Sequence, residues 1–288
     1  MNQTISEQTQ TLIQEAVAGN QAALEQILSS VQDMVFNLSL RMLGQIADAE
    51  DATQEILIKV MTHLSSFQQK SSLTTWVFSI AINHLRSYQK GMFSQRPLSF
   101  EIYGEDIASG REKDVPDLTA GTDQALLARE LKLSCTNVML QCLDPDSRCI
   151  YILGTMFRVD SRIAAQILDM MPEAYRQKLS RIRKKVAAFL AQYCGLSGTG
   201  VCACSRRVNY AIATHRIDPG RLGFASLTAC DPKTAEAVTD AMEELDELSQ
   251  IFAELPQYRS PERVTDWLKA LLASKTFTQI MQSQEETR

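Results

Sequence analysis

Asp48-Ala49-Glu50-Asp51-Ala52-Thr53-Gln54-Glu55 runs into Ile56-Leu57-Ile58-Lys59-Val60-Met61. After Phe67 and a polar loop comes Leu73-Thr74-Thr75-Trp76-Val77-Phe78-Ser79-Ile80-Ala81-Ile82-Asn83-His84-Leu85-Arg86-Ser87-Tyr88-Gln89-Lys90. Asp48 can cap a helix, with Asp51 three residues on in the style of a capping box. Ile56, Leu57, Val60, Met61 and Leu64 then share one face at helical spacing, which leaves Asp51, Gln54 and Glu55 together on an outward, acidic, amide-bearing face. Trp76, set among Val77, Phe78 and Ile80, reads as a core anchor for the second helix. Two amphipathic helices with scarcely any strand-like alternation make this part of the chain a helical bundle.

Working outward, helical spacing extends from Leu12 to about Lys90, through Leu24, Ile27, Leu28, Val31, Val35, Leu38, Leu40 and Leu43. Gly19-Asn20 and Gly44 mark helix ends, because both residue types tolerate the left-handed conformation that closes a helix. From Gly91 to Asp123 the periodicity fades. Seven acids stand against two bases between Glu101 and Asp123, so the segment reads as a flexible linker. A second helical block follows from Gln124 to Tyr193, with Asp144-Pro145 as an N-cap and a first-turn proline. Within it, a short helix, a turn at Asp169-Met170-Met171-Pro172 and a second helix from Glu173 have the form of a helix-turn-helix. Eight bases against three acids from Arg158 to Lys185 make that strip positive, as a local DNA footprint requires.

The 288 residues are enough for more than one small domain, and a composition of 45% apolar and 22% charged residues is that of a folded chain. A net charge of -5 excludes a protein that coats nucleic acid indiscriminately, so any DNA contact must be local. No apolar run approaches the ~20 residues of a membrane span, and the polar start lacks a secretory pattern. The expectation is a cytoplasmic protein with no membrane role. The three histidines pair with no nucleophile, so no active site is assigned and no enzyme activity is expected.

The string from Ala16 to Lys90 resembles the second conserved region of extracytoplasmic-function (ECF) sigma factors. The likeness rests on Ala-Glu-Asp-x-x-Gln-Glu, the Thr-Trp pair and the Ile-Ala-x-Asn step, in order and at family spacing. The strip Arg162 to Val186 is similar to the fourth region of the same family, with Leu179-Ser180-Arg181-Ile182-Arg183 matching its Leu-Ser-Arg-x-Arg core. Two departures stand out: the usual acid before the Ile-Ala pair of the first helix is absent, and Tyr175 replaces a small aliphatic residue.

The resemblance implies an all-α protein of two helical modules. Residues 1–92 form a region 2 bundle, 93–123 an acidic linker, 124–193 a region 4 helix-turn-helix and 194–288 a helical, cysteine-containing extension. It implies that Asp51, Gln54 and Glu55 bind core RNA polymerase. For the -10 promoter element it implies Gln68, Ser71, Ser72, Asn83, His84, Arg86, Ser87 and Lys90. For the -35 element it implies Tyr175, Arg176, Lys178, Arg181, Arg183 and Lys184. Its expected partners are core polymerase and promoter DNA, with a separate anti-sigma factor or the chain's own extension as regulator. The competing reading is a helix-turn-helix regulator that never joins polymerase. It leaves the acidic helix and the Asn83 helix without a role.

Seven cysteines in a cytoplasmic chain read as free thiols or metal ligands. Cys194, Cys202 and Cys204 lie within eleven residues among glycines, and His215 or Cys230 would complete a tetrahedral zinc set. No cofactor is required by the rest of the chain. The tail is expected to be helical over Thr234 to Leu255, with Met242, Leu245, Leu248, Ile251 and Phe252 on one side, and again over Pro261 to Ala273.

Overall fold

The structure, a computed structural model of the chain, describes residues 7–88, 98–230, 247–274 and 277. Among the described residues it is mainly helical, with one two-residue antiparallel strand pair and one isolated bridge. The first block comprises α1 (Glu7–Val17), α2 (Gln21–Leu43), α3 (Ile46–His63) and α4 (Leu73–Ser87). Asn20 caps α2 by accepting from the Ala22 and Ala23 N–H groups, and Gly44 closes it at φ 80°, where a Cβ would be strained. α3 starts three residues before the sequence suggested. Gln45 stands at its N-cap, and Asp48 belongs to the first turn, where its charge favours the helix dipole.

α2 is the central helix. Every residue from Met34 to Leu43 is buried, including Asn37, Ser39 and Arg41. A helix covered on all sides must be packed on all sides. α1, α3 and α4 take one part of its surface, α6 (Gln124–Gln141) and the turns that follow it another, and the C-terminal tail a third.

The second block comprises α6, α7 (Pro145–Tyr151), a π-helical turn at Ile152–Met156, α8 (Ser161–Ile167) and α9 (Pro172–Tyr193). Asp144 caps α7 through the Ser147 N–H at 2.9 Å with Pro145 behind it, and Asp160 caps α8. The acidic segment before this block carries α5 (Phe100–Ala108), which packs on α9. The Phe100 and Phe189 rings lie 4.9 Å apart, and Gly104 passes so close to Tyr193 that a Cβ would sit 2.6 Å from the ring.

Beyond α9 come α10 (Val208–Ala213), β1 (Ala229–Cys230), α11 (Glu247–Ala253), β2 (Gln257–Tyr258) and α12 (Glu262–Leu272). β1 pairs with β2 antiparallel, Ala229 opposite Tyr258. Of the expected helix from Thr234 to Leu255 only α11 lies in the described residues; Met242 and Leu245 fall outside them. Pro261 stands just before α12 rather than inside it. Val264, Leu268 and Leu272, at i, i+4 and i+8, are the buried face of α12, each worth about 2 kcal/mol relative to exposure. One hydrophobic core runs continuously from Ile13 to Leu272, with a smaller one of Leu127, Leu131, Val208, Ala211 and Ile217 beside α6 and α10. No helix among the described residues is long and apolar enough to cross a membrane.

Candidate nucleic-acid interface

α3 turns Ala49, Ala52, Thr53, Ile56, Leu57 and Val60 inward. Asp51 and Glu55 are therefore left exposed and Gln54 half-buried on the opposite side. The three side chains do form one patch. Glu50, beside it, is held by Arg263 of α12 at 3.2 Å.

α4 rises from a loop in which Gln68 is exposed, Gln69 has φ 57° and Ser71 is half-buried. Ser72 is spent locally as the N-cap: its Oγ accepts from the Thr75 N–H at 3.1 Å and lies 2.8 Å from Thr75 Oγ1. Leu73, Val77, Phe78, Ala81, Ile82 and Leu85 are buried, with Trp76 half-buried against Phe67 at 5.1 Å between rings. Asn83 and Ser87, one turn apart, face outward. Arg86 is also exposed but pairs with Asp146 of α7 at 2.7 Å. Lys90 lies outside the described residues.

His84 is a correction. It is only 8% exposed, under Lys59 and Glu55, and cannot present a free edge to a base. Lys59 Nζ donates to His84 Nδ1 at 2.9 Å, which requires a neutral ring with its proton on Nε2, 3.3 Å from Glu55 Oε2. Burial first, and then the Lys59 charge, hold its pKa below the usual histidine value, against a smaller opposing pull from Glu55. The folded state thus binds fewer protons than the unfolded chain just below the ordinary histidine pKa of about 6.5, and stability falls as pH drops through that region. Urea titrations at pH 7.5 and 5.5 should show this loss, and His84→Gln should reduce it. An unchanged pH dependence in the variant would remove His84 as its source.

On the helix-turn-helix, Pro172 opens α9 and Asp169, at φ 52°, forms the turn. Lys178, Arg181 and Lys184, spaced three apart, are exposed along α9. The other expected readers are engaged elsewhere. Arg176 pairs with Glu173 at 2.9 Å. Arg183 donates to the Gly154 carbonyl at 2.9 Å and to Thr155 Oγ1 at 3.2 Å, which fastens α9 to the π turn. Tyr175 is a second correction: it is fully buried and its hydroxyl donates to the Ile150 carbonyl at 3.2 Å. It begins the stripe Tyr175, Leu179, Ile182, Val186 that packs α9 onto the core.

Cys194 and Cys202 meet in an isolated parallel bridge, made possible by Gly195 and Gly200, since a Cβ on either would strike the facing backbone. Cys135 of α6 joins Cys194, Cys202 and Cys204 around a small cavity. Burial pushes the thiols up, Cys135 to about 12 and Cys202 to about 11, with Cys194 and Cys204 raised as well. Among the described residues no group of three or more histidine, cysteine or acidic side chains is disposed to hold a metal ion. The zinc expectation therefore finds no ligand set here, and the protonated thiols, one buried and three half-buried, pack as small apolar groups.

The residues sequence reasoning missed are polar groups inside α2. Asp33, Asn37 and Arg41, at i, i+4 and i+8, all reach the tail, and their spacing within an apolar helix was the available signal.

Comparison with known proteins finds relatives for part of this chain. Residues 27–91, from within α2 past the end of α4, match the model of sigma-70 region 2. The chain is 29% identical over 177 residues to a probable RNA polymerase sigma factor, RfaY, of Xanthomonas campestris pv. campestris. That match takes in 62% of this chain but only 42% of the relative, so less than half of that protein is represented here. It is 22% identical over 180 residues to the RNA polymerase sigma-H factor of Pseudomonas aeruginosa, and 24% identical over 183 residues to the ECF RNA polymerase sigma-E factor of Haemophilus influenzae. Each of these covers 62% of this chain and 92% of the relative.

Proposed function

We propose that the chain is an ECF sigma factor of bacterial RNA polymerase, which binds core polymerase in the cytoplasm and directs it to promoters without catalysing a reaction itself. The observation that carries this reading is the pairing of two surfaces within the region 2 match: the acidic patch of α3 and the exposed Asn83–Ser87 edge of α4. A conventional DNA-binding regulator has no use for the first of them.

In this scheme Asp51, Gln54 and Glu55 grip the polymerase clamp. Gln68, Ser71, Asn83, Arg86 and Ser87 hold the opened -10 strand with amides, hydroxyls and a cation. Arg86 must first leave Asp146 to do so. Lys178, Arg181 and Lys184 engage the -35 duplex, some as phosphate contacts that set register and some at base edges. Arg176 and Arg183 position α9 rather than read DNA. The thiol cluster has no part in the scheme, and no metal is needed for it.

Run-off transcription with core polymerase on genomic fragments tests the reading. Discrete transcripts that depend on the chain are expected; absence of both transcripts and core binding would transfer the case to the regulator that acts alone. Once a promoter is known, alanine at Lys178, Arg181 or Lys184 should lower its affinity. A residue that contacts phosphate should also reduce the slope of log affinity against log salt by about 1. Unaltered affinity in all three variants would take α9 out of the DNA contact.

A further inference from the structure

We propose that Asp33, Asn37 and Arg41 on α2 form a docking groove for extended main chain. Its occupant is residues 256–260 of this same chain, which with the helix α12 that follows form a latch that core polymerase displaces. The inference rests on the sigma-factor reading above and deepens it by naming the regulatory segment and its seat.

The tail runs antiparallel along α2, and it is its backbone that is recognised. Arg41 Nη2 donates to the Pro256 carbonyl at 2.6 Å. Asn37 donates to the Tyr258 carbonyl at 2.7 Å and accepts from the Tyr258 N–H at 2.9 Å, a pairing equivalent to that between two strands. Asp33 Oδ1 accepts from the Ser260 N–H at 2.7 Å. Further along, Gln32 donates to Thr265 Oγ1 at 2.8 Å and Gln21 to the Leu272 carbonyl at 2.8 Å. Asn37 and Arg41 are 1% and 2% exposed. Polar groups this deep in an apolar helix need partners; the tail supplies several, with Asn137 of α6 taking the other Arg41 donor at 2.9 Å.

The tail that carries the latch touches both modules. α12 lies on α2 and α3, with Arg263 on Glu50 beside the Asp51 patch. α11 packs on α9 and the π turn, its Phe252 edge-on to Tyr151 at 5.4 Å. Between the modules, α4 lies directly against α7 and α8, with Phe78 edge-on to Phe157 at 5.4 Å and Arg86 on Asp146. Promoter elements named for positions about 25 base pairs apart lie roughly 80 Å apart on B-form DNA. Helices in van der Waals contact cannot serve both at once, so this arrangement is the closed one. Main-chain hydrogen bonds suit a releasable latch, because each freed group is taken up by water at little net cost.

The test is hydrogen exchange on the full chain, free and with core polymerase. It is joined by core-binding and scattering measurements on Val264→Asp/Leu268→Asp, which places charges on the buried face of α12. Loss of protection at the Tyr258 and Ser260 amides on adding core is expected, with at least tenfold tighter core binding and a larger radius of gyration in the variant. Core binding by the wild-type chain with both amides as protected as before, and no gain in the variant, would overturn the latch while leaving the sigma reading intact. Failure of both proteins to bind core would overturn the sigma reading and the latch with it. If the variant does not fold, exchange on the wild-type chain decides alone.

Discussion

Replacing Arg148 with alanine is expected to destabilise the chain by about 3–5 kcal/mol, one of the two largest effects of any substitution considered. Its guanidinium lies where two helices end. Nη1 donates to the Met42 carbonyl near the end of α2 at 2.6 Å. Nε and Nη2 donate to the carbonyls of Leu140 and Leu143 at the end of α6, at 3.0 and 2.9 Å. Helix C-termini leave carbonyls without intrahelical partners and carry partial negative charge, and a planar fork of donors answers both demands. Burial lowers the arginine pKa to about 10, so it remains charged at neutral pH. Alanine would strand several buried acceptors at once. Arg148→Lys keeps the charge without the fork and should recover less than half of the loss. Equilibrium urea unfolding of the three proteins measures this, and a loss under about 1 kcal/mol for alanine would show that water replaces the guanidinium freely.

The second large effect is expected at Tyr175. Tyr175→Ala removes a fully buried aromatic ring between Ile150, Gly154 and Leu179 and should cost about 3–5 kcal/mol. Tyr175→Phe loses only the hydroxyl and its bond to the Ile150 carbonyl, and should cost about 1 kcal/mol with promoter affinity unchanged. The pair separates scaffold from reader. A tyrosine that touched DNA would instead give a stable phenylalanine variant with several-fold weaker promoter binding, measured on a fragment identified by run-off transcription.

How the residues announced themselves explains what was legible. Asp144-Pro145, Asn20 and Gly44 act through neighbours a few positions away, and they mark helix ends in the structure as they do in the sequence. The acidic face of α3 was readable because its opposite side is unbroken apolar surface. His84 and Tyr175 were misread because both side chains are amphipathic and sit at the border of a helix face, where a rotation of one position separates core from surface. Tyr175 nonetheless keeps the spacing of Leu179, Ile182 and Val186, and weighting that stripe over family position would have placed it inside. α5 was hidden by its charge: three buried side chains, Phe100, Tyr103 and Ile107, suffice because α9 completes their environment. The tail's own side of the contact had no sequence signature, since main-chain carbonyls and N–H groups are present at nearly every residue. Only the partners Asp33, Asn37 and Arg41 carry identity.

The order in which the chain is made gives the position of α12 a temporal meaning. Nearly two hundred residues separate His63, at the end of α3, from Glu262, at the start of α12. Translation adds roughly 5–20 residues per second, so the first helices exist for on the order of ten seconds before the segment that covers them. During that interval the nascent chain lacks the segment whose carbonyls and N–H groups answer Asn37 and Arg41. A cell would thereby hold two populations of one gene product, the young chain and the finished one, and translation speed would set the balance between them.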